Sequence, residues 1–138
     1  MRAYFFGNMY LSSIQQGIQA AHAVHDMFVR YPTREHGGGN YLWDWATDHK
    51  TMILLNGGYA DTIKELVNFF NNSDNPYPFA AFHEEEASLN GALTTVGIVL
   101  PEKIYHIASM IRNGETTYKN DDEYDVRHLL WEDCGGSC

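Results

Sequence analysis

The run Leu93 to Leu100 limits the possible folds more than any other feature of the sequence. It is rich in β-branched residues, is almost wholly apolar, and is followed directly by Pro101. Because successive side chains of a strand point to opposite faces, a strand that is apolar throughout is buried on both faces. The run therefore predicts a mostly parallel or mixed sheet that is covered on both sides by helices.

Further strands and helices are predicted around this strand from their hydrophobic periodicity. The strands are residues 2–7, 51–55 and 77–83, and the helices are residues 12–30, 60–70 and 101–113. Ser12 and Gln15 have the spacing of a capping box, which predicts the start of the first helix, and Pro32 predicts its end. The order is β-α-β-α-β-β-α, which indicates an α/β fold: a compact three-layer α/β/α domain with a small mixed sheet.

The first helix and the segment after it carry two further patterns. Apolar residues recur at helical spacing in the first helix and predict its apolar face; they are Ile14, Ile18, Ala21, Val24 or His25, and Phe28. Residues 33–48 contain three consecutive glycines at 37–39 and an aromatic cluster at 41–45. The glycines predict a flexible loop, and the aromatic cluster predicts a segment that packs back on the domain.

Length and charge restrict the class of protein. The 138 residues fit one α/β domain at 1–112 with an acidic C-terminal extension at 113–138, where Cys134 and Cys138 are expected in a solvated tail. The apolar runs are too short to cross a bilayer and the N-terminus lacks the pattern of a secretory signal, so a soluble, cytoplasmic protein with no membrane partner is expected. The net charge of −9 with scattered Lys and Arg disfavours a large nucleic-acid footprint, although a small anion needs only two or three donors.

A short motif in the first helix points to one known family. Residues 18–23 read Ile-Gln-Ala-Ala-His-Ala, Trp43-Asp44 precedes the second strand, and the Thr-Val-rich last strand ends at Pro101. In these features the chain resembles the type-2 peptidyl-tRNA hydrolases, whose first helix carries Ala-Gln-x-x-His-Ala directly after the first strand. The resemblance spans about residues 2–111, and it implies a fold of that type and a homodimer.

The chain departs from the family at its catalytic residues. The family has a lysine in a Gly-Lys-rich turn before the first helix, whereas residues 10–16 contain no lysine. The family's Asp-Ala-Gly-Arg-Thr-Gln loop corresponds to residues 84–89, where Glu84 and Ser88 occupy the positions of the aspartate and threonine and the arginine is not kept. The resemblance therefore implies His22, Glu84 and Ser88 as the candidate catalytic residues.

Candidate ligand-binding residues come from several segments; they are Gln19, Tyr10, Phe82, Asn56 and Thr94. Tyr10 and Phe82 can stack on a base, and Asn56 begins a strand-to-helix turn whose backbone N–H groups can meet a phosphate. The alternative interpretation is that the aromatic residues belong to the core or its rim and that Asn56 begins an ordinary turn. His83 next to the acidic residues 84–86 can form an acid–base pair or a metal site, but a solvated loop is favoured, and neither a metal nor a cofactor is expected.

Three functional classes remain open from the sequence. The first is a divergent hydrolase that acts on the ester of a peptidyl-tRNA or on another nucleotide-containing ester or phosphodiester. The second is a protein that sequesters or cleaves a small nucleotide signal, as some phage counter-defence proteins do. The third is a protein interaction module. The predicted partners are a small nucleotide ligand or a tRNA acceptor end, together with a second copy of the chain.

Overall fold

The computed structural model describes residues 1–72, 75–83 and 92–104. Its four strands form one sheet; they are β1 (Arg2–Gly7), β2 (Met52–Asn56), β3 (Phe79–His83) and β4 (Leu93–Leu100). The strand order is β2-β1-β4-β3, with β1 parallel to β2 and antiparallel to β4, and β3 antiparallel to β4. All eight residues of β4 are buried in the interior of the sheet. The predicted mixed sheet is therefore confirmed.

Helices cover both faces of this sheet. They are α1 (Ser13–Arg30), α2 (Gly39–Asp44), which continues into a π-helical segment (Trp45–His49), and α3 (Ala60–Asn72). The predicted elements from β1 to β4 occur in the predicted order, and α2 and the π-helical segment are additional helices between α1 and β2. A helical turn occupies residues 102–104, and the rest of the predicted last helix and the extension at 113–138 lie outside the described residues. In the described ranges, no helix has both the length and the apolar character that crossing a membrane requires.

The sheet separates two hydrophobic clusters, because side chains alternate along β1. The cluster beneath α3 contains Tyr4, Phe6, Ile63, Leu66, Phe70, Val96 and Ile98 among others. The cluster beneath α1 contains Ala3, Phe5, Ala20, Ala23, Met27, Trp45 and Val99 among others. This division is the three-layer arrangement that a central strand buried on both faces requires.

The capping box at the start of α1 is present as predicted. The Oγ of Ser12 accepts a hydrogen bond from the backbone N–H of Gln15 at 3.2 Å, and the backbone N–H of Ser12 donates to Oε1 of Gln15 at 3.2 Å. These bonds satisfy N–H groups that the first turn of a helix otherwise leaves unpaired. They fix α1 close behind β1, so that Gln19 and His22 lie in the second and third turns from the end of that strand.

The predicted apolar face of α1 faces the core only through Val24 and Phe28, which pack against the cluster beneath this helix. The buried residues of α1 are Gln19, Ala20, Ala23 and Met27. Ile14 and Ile18, in contrast, are 79% and 50% exposed. Ala20 and Ala23 face the sheet with Met27, whereas Ile14 and Ile18 fall on the opposite side. The periodicity thus predicts the helix correctly and its buried face only in part.

The glycine-rich segment before β2 is more specifically shaped than the predicted flexible loop. Gly38 has a φ of +86°, which L side chains rarely adopt, and a Cβ on Gly39 would overlap the carbonyl oxygen of Thr33. The aromatic cluster packs back on the domain as predicted, since Nε1 of Trp45 donates to the carbonyl oxygen of Thr51 at 2.7 Å. The glycines are therefore needed for a close turn into α2.

Candidate functional site

One edge of the sheet brings together the ends of all four strands. The carboxyl ends of β1, β2 and β3 lie there beside the amino end of β4, because β4 is antiparallel to both of its neighbours. The first turn of α1 lies at the same edge, since only a short turn separates it from β1. Ligands of open α/β sheets bind in the crevice beyond strand ends of this kind. We call this region the strand-end edge.

Thr94 joins α1 to the two strands at this edge. Its Oγ1 lies 3.1 Å from the carbonyl oxygen of Phe82 and 3.4 Å from Oε1 of Gln19. Thr94 is 1% exposed and Gln19 is 8% exposed. A hydroxyl has one proton, so Thr94 donates to only one of these oxygens at a time. The contact nevertheless holds the Gln19 carboxamide at the start of β4, as a buried polar group requires.

His22 stacks on Phe82 at the outer side of this contact. The two ring centroids are 4.5 Å apart and the ring planes differ by 11°. His22 is an exposed residue although Phe82 covers one face of its ring. The exposed part is therefore the other face and the edge, and His25 approaches that ring edge-on with centroids 6.5 Å apart. At the strand-end edge, the exposed imidazole of His22 is therefore stacked on the ring of Phe82.

A bulge in β4 turns two threonines towards α1. Phe82 pairs with Thr95 and His83 pairs with Leu93, which leaves Thr94 as the extra residue. Thr95 shares its strand face with Gly97, whose Cα lies against α1. Thr95 is 1% exposed, and its hydroxyl has no hydrogen-bond partner among the described residues. The Thr95 hydroxyl is therefore a buried polar group without a partner in this part of the structure.

Asn8 fixes the position of β4 relative to the turn before α1. Its Nδ2 donates to the carbonyl oxygen of Leu93 at 3.1 Å, and its backbone N–H donates to that of Thr94 at 2.9 Å. Its Oδ1 accepts a hydrogen bond from the backbone N–H of Tyr10 at 2.9 Å. Sequence reasoning missed Asn8 and Thr95. The available signals were a polar residue directly after the buried β1 and two threonines in the apolar run.

Two predicted ligand-binding residues do not join this group. Tyr10 is 78% exposed and contributes only its backbone N–H to Asn8. Asn56 ends β2, which lies two strands from β4 and therefore about 10 Å from it at the usual strand spacing. The Oδ1 of Asn56 accepts from the backbone N–H of Gly58 at 2.9 Å, as in an ordinary turn. Gln19, His22, Phe82 and Thr94 form the contacts described above, and Glu84 and Ser88 lie outside the described residues.

Basic residues are scarce at the strand-end edge. Of the six Lys and Arg side chains in the described ranges, five lie towards the opposite edge of the sheet; they are Arg2, Arg30, Arg34, Lys50 and Lys103. Lys64, in the second turn of α3, is the exception. His83 is exposed at the end of β3, and no three His, Cys, Asp or Glu side chains of the described residues come together as metal ligands. This part of the edge is suited to a ligand with little negative charge.

Comparison with known proteins does not assign a family. No protein-family model matches the chain, and no curated protein matches it either. The functional inference therefore rests on the side chains at the strand-end edge.

The two threonines of the bulge make a matched pair for a stability test. Thr95→Val is expected to raise the free energy of unfolding by about 1 kcal/mol, because it removes a buried hydroxyl without a partner. Thr94→Val is expected to lower it by about 1 to 2 kcal/mol, because the oxygens of Phe82 and Gln19 lose a donor. Urea unfolding followed by circular dichroism measures both. A loss of stability in Thr95→Val would show that its hydroxyl has a partner.

Proposed function

We propose that this chain is a divergent peptidyl-tRNA hydrolase-like protein that binds a small nucleotide-containing ester or phosphodiester at the strand-end edge and hydrolyses it. One observation carries the proposal. Gln19 and His22 match the family's helix motif, and in the structure Gln19 contacts Thr94 and His22 contacts Phe82 at the strand ends. The helix motif and the contacts in the structure therefore both indicate the strand-end edge as the site.

The stacked pair supplies a binding surface for a nucleobase. The face of His22 that is turned away from Phe82 can receive a base as the third ring of the stack. Stacking of a base on an aromatic side chain contributes about 1 to 3 kcal/mol.

His22 is also the proposed base of the reaction. Its imidazole accepts a proton from a water molecule as the water oxygen bonds to the ester carbon or to the phosphorus. The same proton then goes to the oxygen of the leaving group as its bond to that carbon or phosphorus breaks, so that His22 returns to its starting state. Glu84 and Ser88, which the family resemblance implies, remain predicted participants.

The charge distribution favours a small ligand over a tRNA. Proteins hold the phosphate backbone of nucleic acids largely by neutralising it with Lys and Arg. Lys64 is the one such side chain of the described residues that lies towards the strand-end edge, and the whole chain has a net charge of −9. We therefore expect recognition to depend on the nucleoside and on the scissile group more than on many phosphates.

A ligand screen tests this function. The wild-type protein is mixed with mononucleotides, cyclic di- and trinucleotides, ADP-ribose derivatives and a tRNA acceptor-end mimic, and its melting temperature is measured. A true ligand at 100 times its Kd stabilises the fold by about 2.7 kcal/mol. Mass spectrometry of each hit then shows whether the ligand is consumed, which is the result expected of a hydrolase.

Matched variants then locate the binding site. His22→Ala and Phe82→Ala are each expected to weaken binding about 10- to 100-fold, because each removes one ring of the stack. His49→Ala serves as the control, since His49 is an exposed histidine just before β2 at the opposite edge of the sheet. Unchanged affinity in both stack variants would contradict the site. Stabilisation by the acceptor-end mimic alone, with a steep salt dependence, would contradict the preference for a small ligand.

A nucleotide-sequestering protein is the second candidate. It is favoured by the turn at residues 10–16, which lacks the lysine of the hydrolase family. This function predicts that the stabilising ligand is recovered intact from the wild-type protein, with the same loss of affinity in His22→Ala. If no ligand stabilises the protein, both candidates fail and an interaction module becomes the better explanation.

A further inference from the structure

β2 is an edge strand of the sheet, and one side of its backbone has no partner in the described part of the chain. The carbonyl oxygen of Thr51, just before β2, accepts a hydrogen bond from the backbone N–H of Ala3 at 3.0 Å. In a parallel pair, alternate residues of a strand bond to the neighbouring strand, so Thr51 and every second residue after it face β1. The backbone N–H and C=O groups of Met52 and Leu54 therefore point away from the sheet.

This edge lacks the features that normally keep an edge strand from pairing. Natural proteins protect edge strands with charged residues, proline or bulges. Residues 51–60 contain no charged residue and no proline, and the register between β1 and β2 is regular. Met52 and Leu54 are apolar instead, and they are 44% and 47% exposed. The edge is therefore open to a further strand.

The side chains of Met52 and Leu54 form the floor of a groove. In the register they pair with Ala3 and Phe5 of β1, which belong to the cluster beneath α1. Paired residues of neighbouring strands point to the same face of a sheet, so Met52 and Leu54 point to the face on which α1 lies. However, α1 packs mainly against β3 and β4. The part of this face that belongs to β2 is therefore left exposed.

The wall of the groove is the flank of α1 that faces away from β3 and β4. Gln19 contacts Thr94 and thus marks the flank towards β4. At about 3.6 residues per turn, Ile14, Gly17 and Ala21 lie on the opposite flank. A Cβ on Gly17 would have no atom within 4 Å, so the space beside it is open. We call the space between this flank and β2 the β2 groove.

The β2 groove fits a partner of definite chemistry. Its open backbone edge requires an extended segment, because a strand presents N–H and C=O groups at the spacing of another strand. Its side chains favour apolar residues, because residues 3–25 and 51–60 contain no Lys, Arg, Asp or Glu with which a charged side chain can pair. The net charge of −9 favours a basic partner and disfavours an acidic one, such as a second copy of the chain.

We propose that the β2 groove binds an extended segment of a different, basic protein, which adds to the sheet as a further strand beside β2. Side chains at every second position of that segment enter the groove between Leu54 and Gly17. The backbone of the segment bonds to the outward N–H and C=O groups of β2. Because the groove lies on the other flank of α1 from Gln19, this binding does not depend on the proposed function.

Binding of a synthetic peptide to the full-length protein tests the proposal. The probe is Lys-Lys-Val-Thr-Val-Thr-Val-Lys-Lys, and its dissociation constant by NMR titration is expected to be on the order of 100 μM. The same peptide with Glu in place of each Lys is expected to bind at least about 10-fold more weakly. Of two further forms, N-methylated at the Val or at the Thr residues, one is expected to lose binding and the other to keep it, because only alternate N–H groups of an added strand face β2.

Matched variants locate the binding surface. Gly17→Leu fills the groove and is expected to weaken binding of the probe at least about 10-fold without lowering the melting temperature, since leucine favours a helix more than glycine does. Leu54→Lys is expected to weaken binding by a similar factor, because it places a charge in the groove. Val29→Lys is the control: Val29 is a 79% exposed apolar residue at the far end of α1, and the variant should bind as the wild type does.

Hydrogen exchange of the Leu54 amide distinguishes the possible occupants. In the free protein this amide is expected to exchange fast, and the probe is expected to slow it at least about 10-fold. Slow exchange without the probe would overturn the proposal: another segment of the same chain pairs with β2 if the rate is independent of protein concentration, and a second copy does if the rate falls with it. Failure of the probe to bind, or equal effects of Leu54→Lys and Val29→Lys, would overturn it as well.

Discussion

Gly97→Ala is expected to lower the free energy of unfolding by about 2 to 3 kcal/mol, because it overfills the core between β4 and α1. A Cβ at this position would lie 2.5 Å from Cε1 of Phe5 and 2.9 Å from Cε of Met27. The end of the Met27 side chain is flexible and can move. Phe5 is only 1% exposed and is held between the sheet and α1, so its ring can move only if the helix moves with it.

The measurement is thermal and urea unfolding of the variant beside a control glycine. Gly17 lies in α1 with no atom within 4 Å of a Cβ, and Gly17→Ala is expected to raise stability by about 0.5 to 1 kcal/mol. The two glycine-to-alanine changes thus have opposite expected signs. If Gly97→Ala left stability unchanged, the close contact between β4 and α1 would be wrong, and so would the position of Gln19 over Thr94.

Asn8→Ala is expected to lower the free energy of unfolding by a similar amount, about 2 to 3 kcal/mol. The change removes the donor to the buried carbonyl oxygen of Leu93 and the acceptor for the backbone N–H of Tyr10. A buried group that loses its partner costs its full desolvation energy, which is larger than the net value of one hydrogen bond. Asn8→Ala is therefore expected to cost more stability than the same substitution of an exposed asparagine.

Two further variants show which hydrogen bond of Asn8 is responsible. Asn8→Asp keeps an acceptor for Tyr10 but places an oxygen against the carbonyl oxygen of Leu93, so it is expected to be at least as unstable as Asn8→Ala. Asn68→Ala, on the exposed side of α3, is the control and should change stability by less than about 0.5 kcal/mol. Wild-type stability of Asn8→Asp would mean that the bond to Leu93 contributes nothing.

The parts of the fold that local sequence patterns specify were predictable. The apolar run of β4, the capping box of Ser12 and Gln15, and the short first strand each depend on a few residues, and each appears in the structure. The element ends shift by only a few residues, as in β2, which begins at Met52. Such features depend on local backbone propensity and on the pattern of apolar residues. Both can be read from a short stretch of sequence.

The buried face of α1 was not predictable in the same way. Periodicity indicates that a helix has an apolar side, but the sheet determines which side can approach. Ala20, Ala23 and Met27 pack against the sheet in the cluster that contains Phe5, whereas Ile14 and Ile18 are exposed. These contacts connect distant parts of the chain. No window along α1 contains that information.

The candidate site, too, could be predicted from local sequence only in part. Gln19, His22, Phe82 and Thr94 were named from a family motif and from their segments, and the structure brings them into contact. Thr95 was missed because regular alternation turns only one of two adjacent residues to each side, and the bulge is visible only in the pairing of β3 with β4. Asn56 lies two strands away from β4, and its side chain bonds to its own turn.

The strand order has a consequence for how this chain reaches its native state. The last of the described strands, β4, lies between the first strand and β3, and the register joins Arg2 to Leu100. Closing so long a segment is entropically costly, and chains that depend on distant pairings fold slowly. During synthesis β1 and β2 can pair early, but the interior edge of β1 stays open until β4 arrives. A nascent chain therefore exposes an incomplete sheet, and the contact between Gln19 and Thr94 is among the last that folding can form.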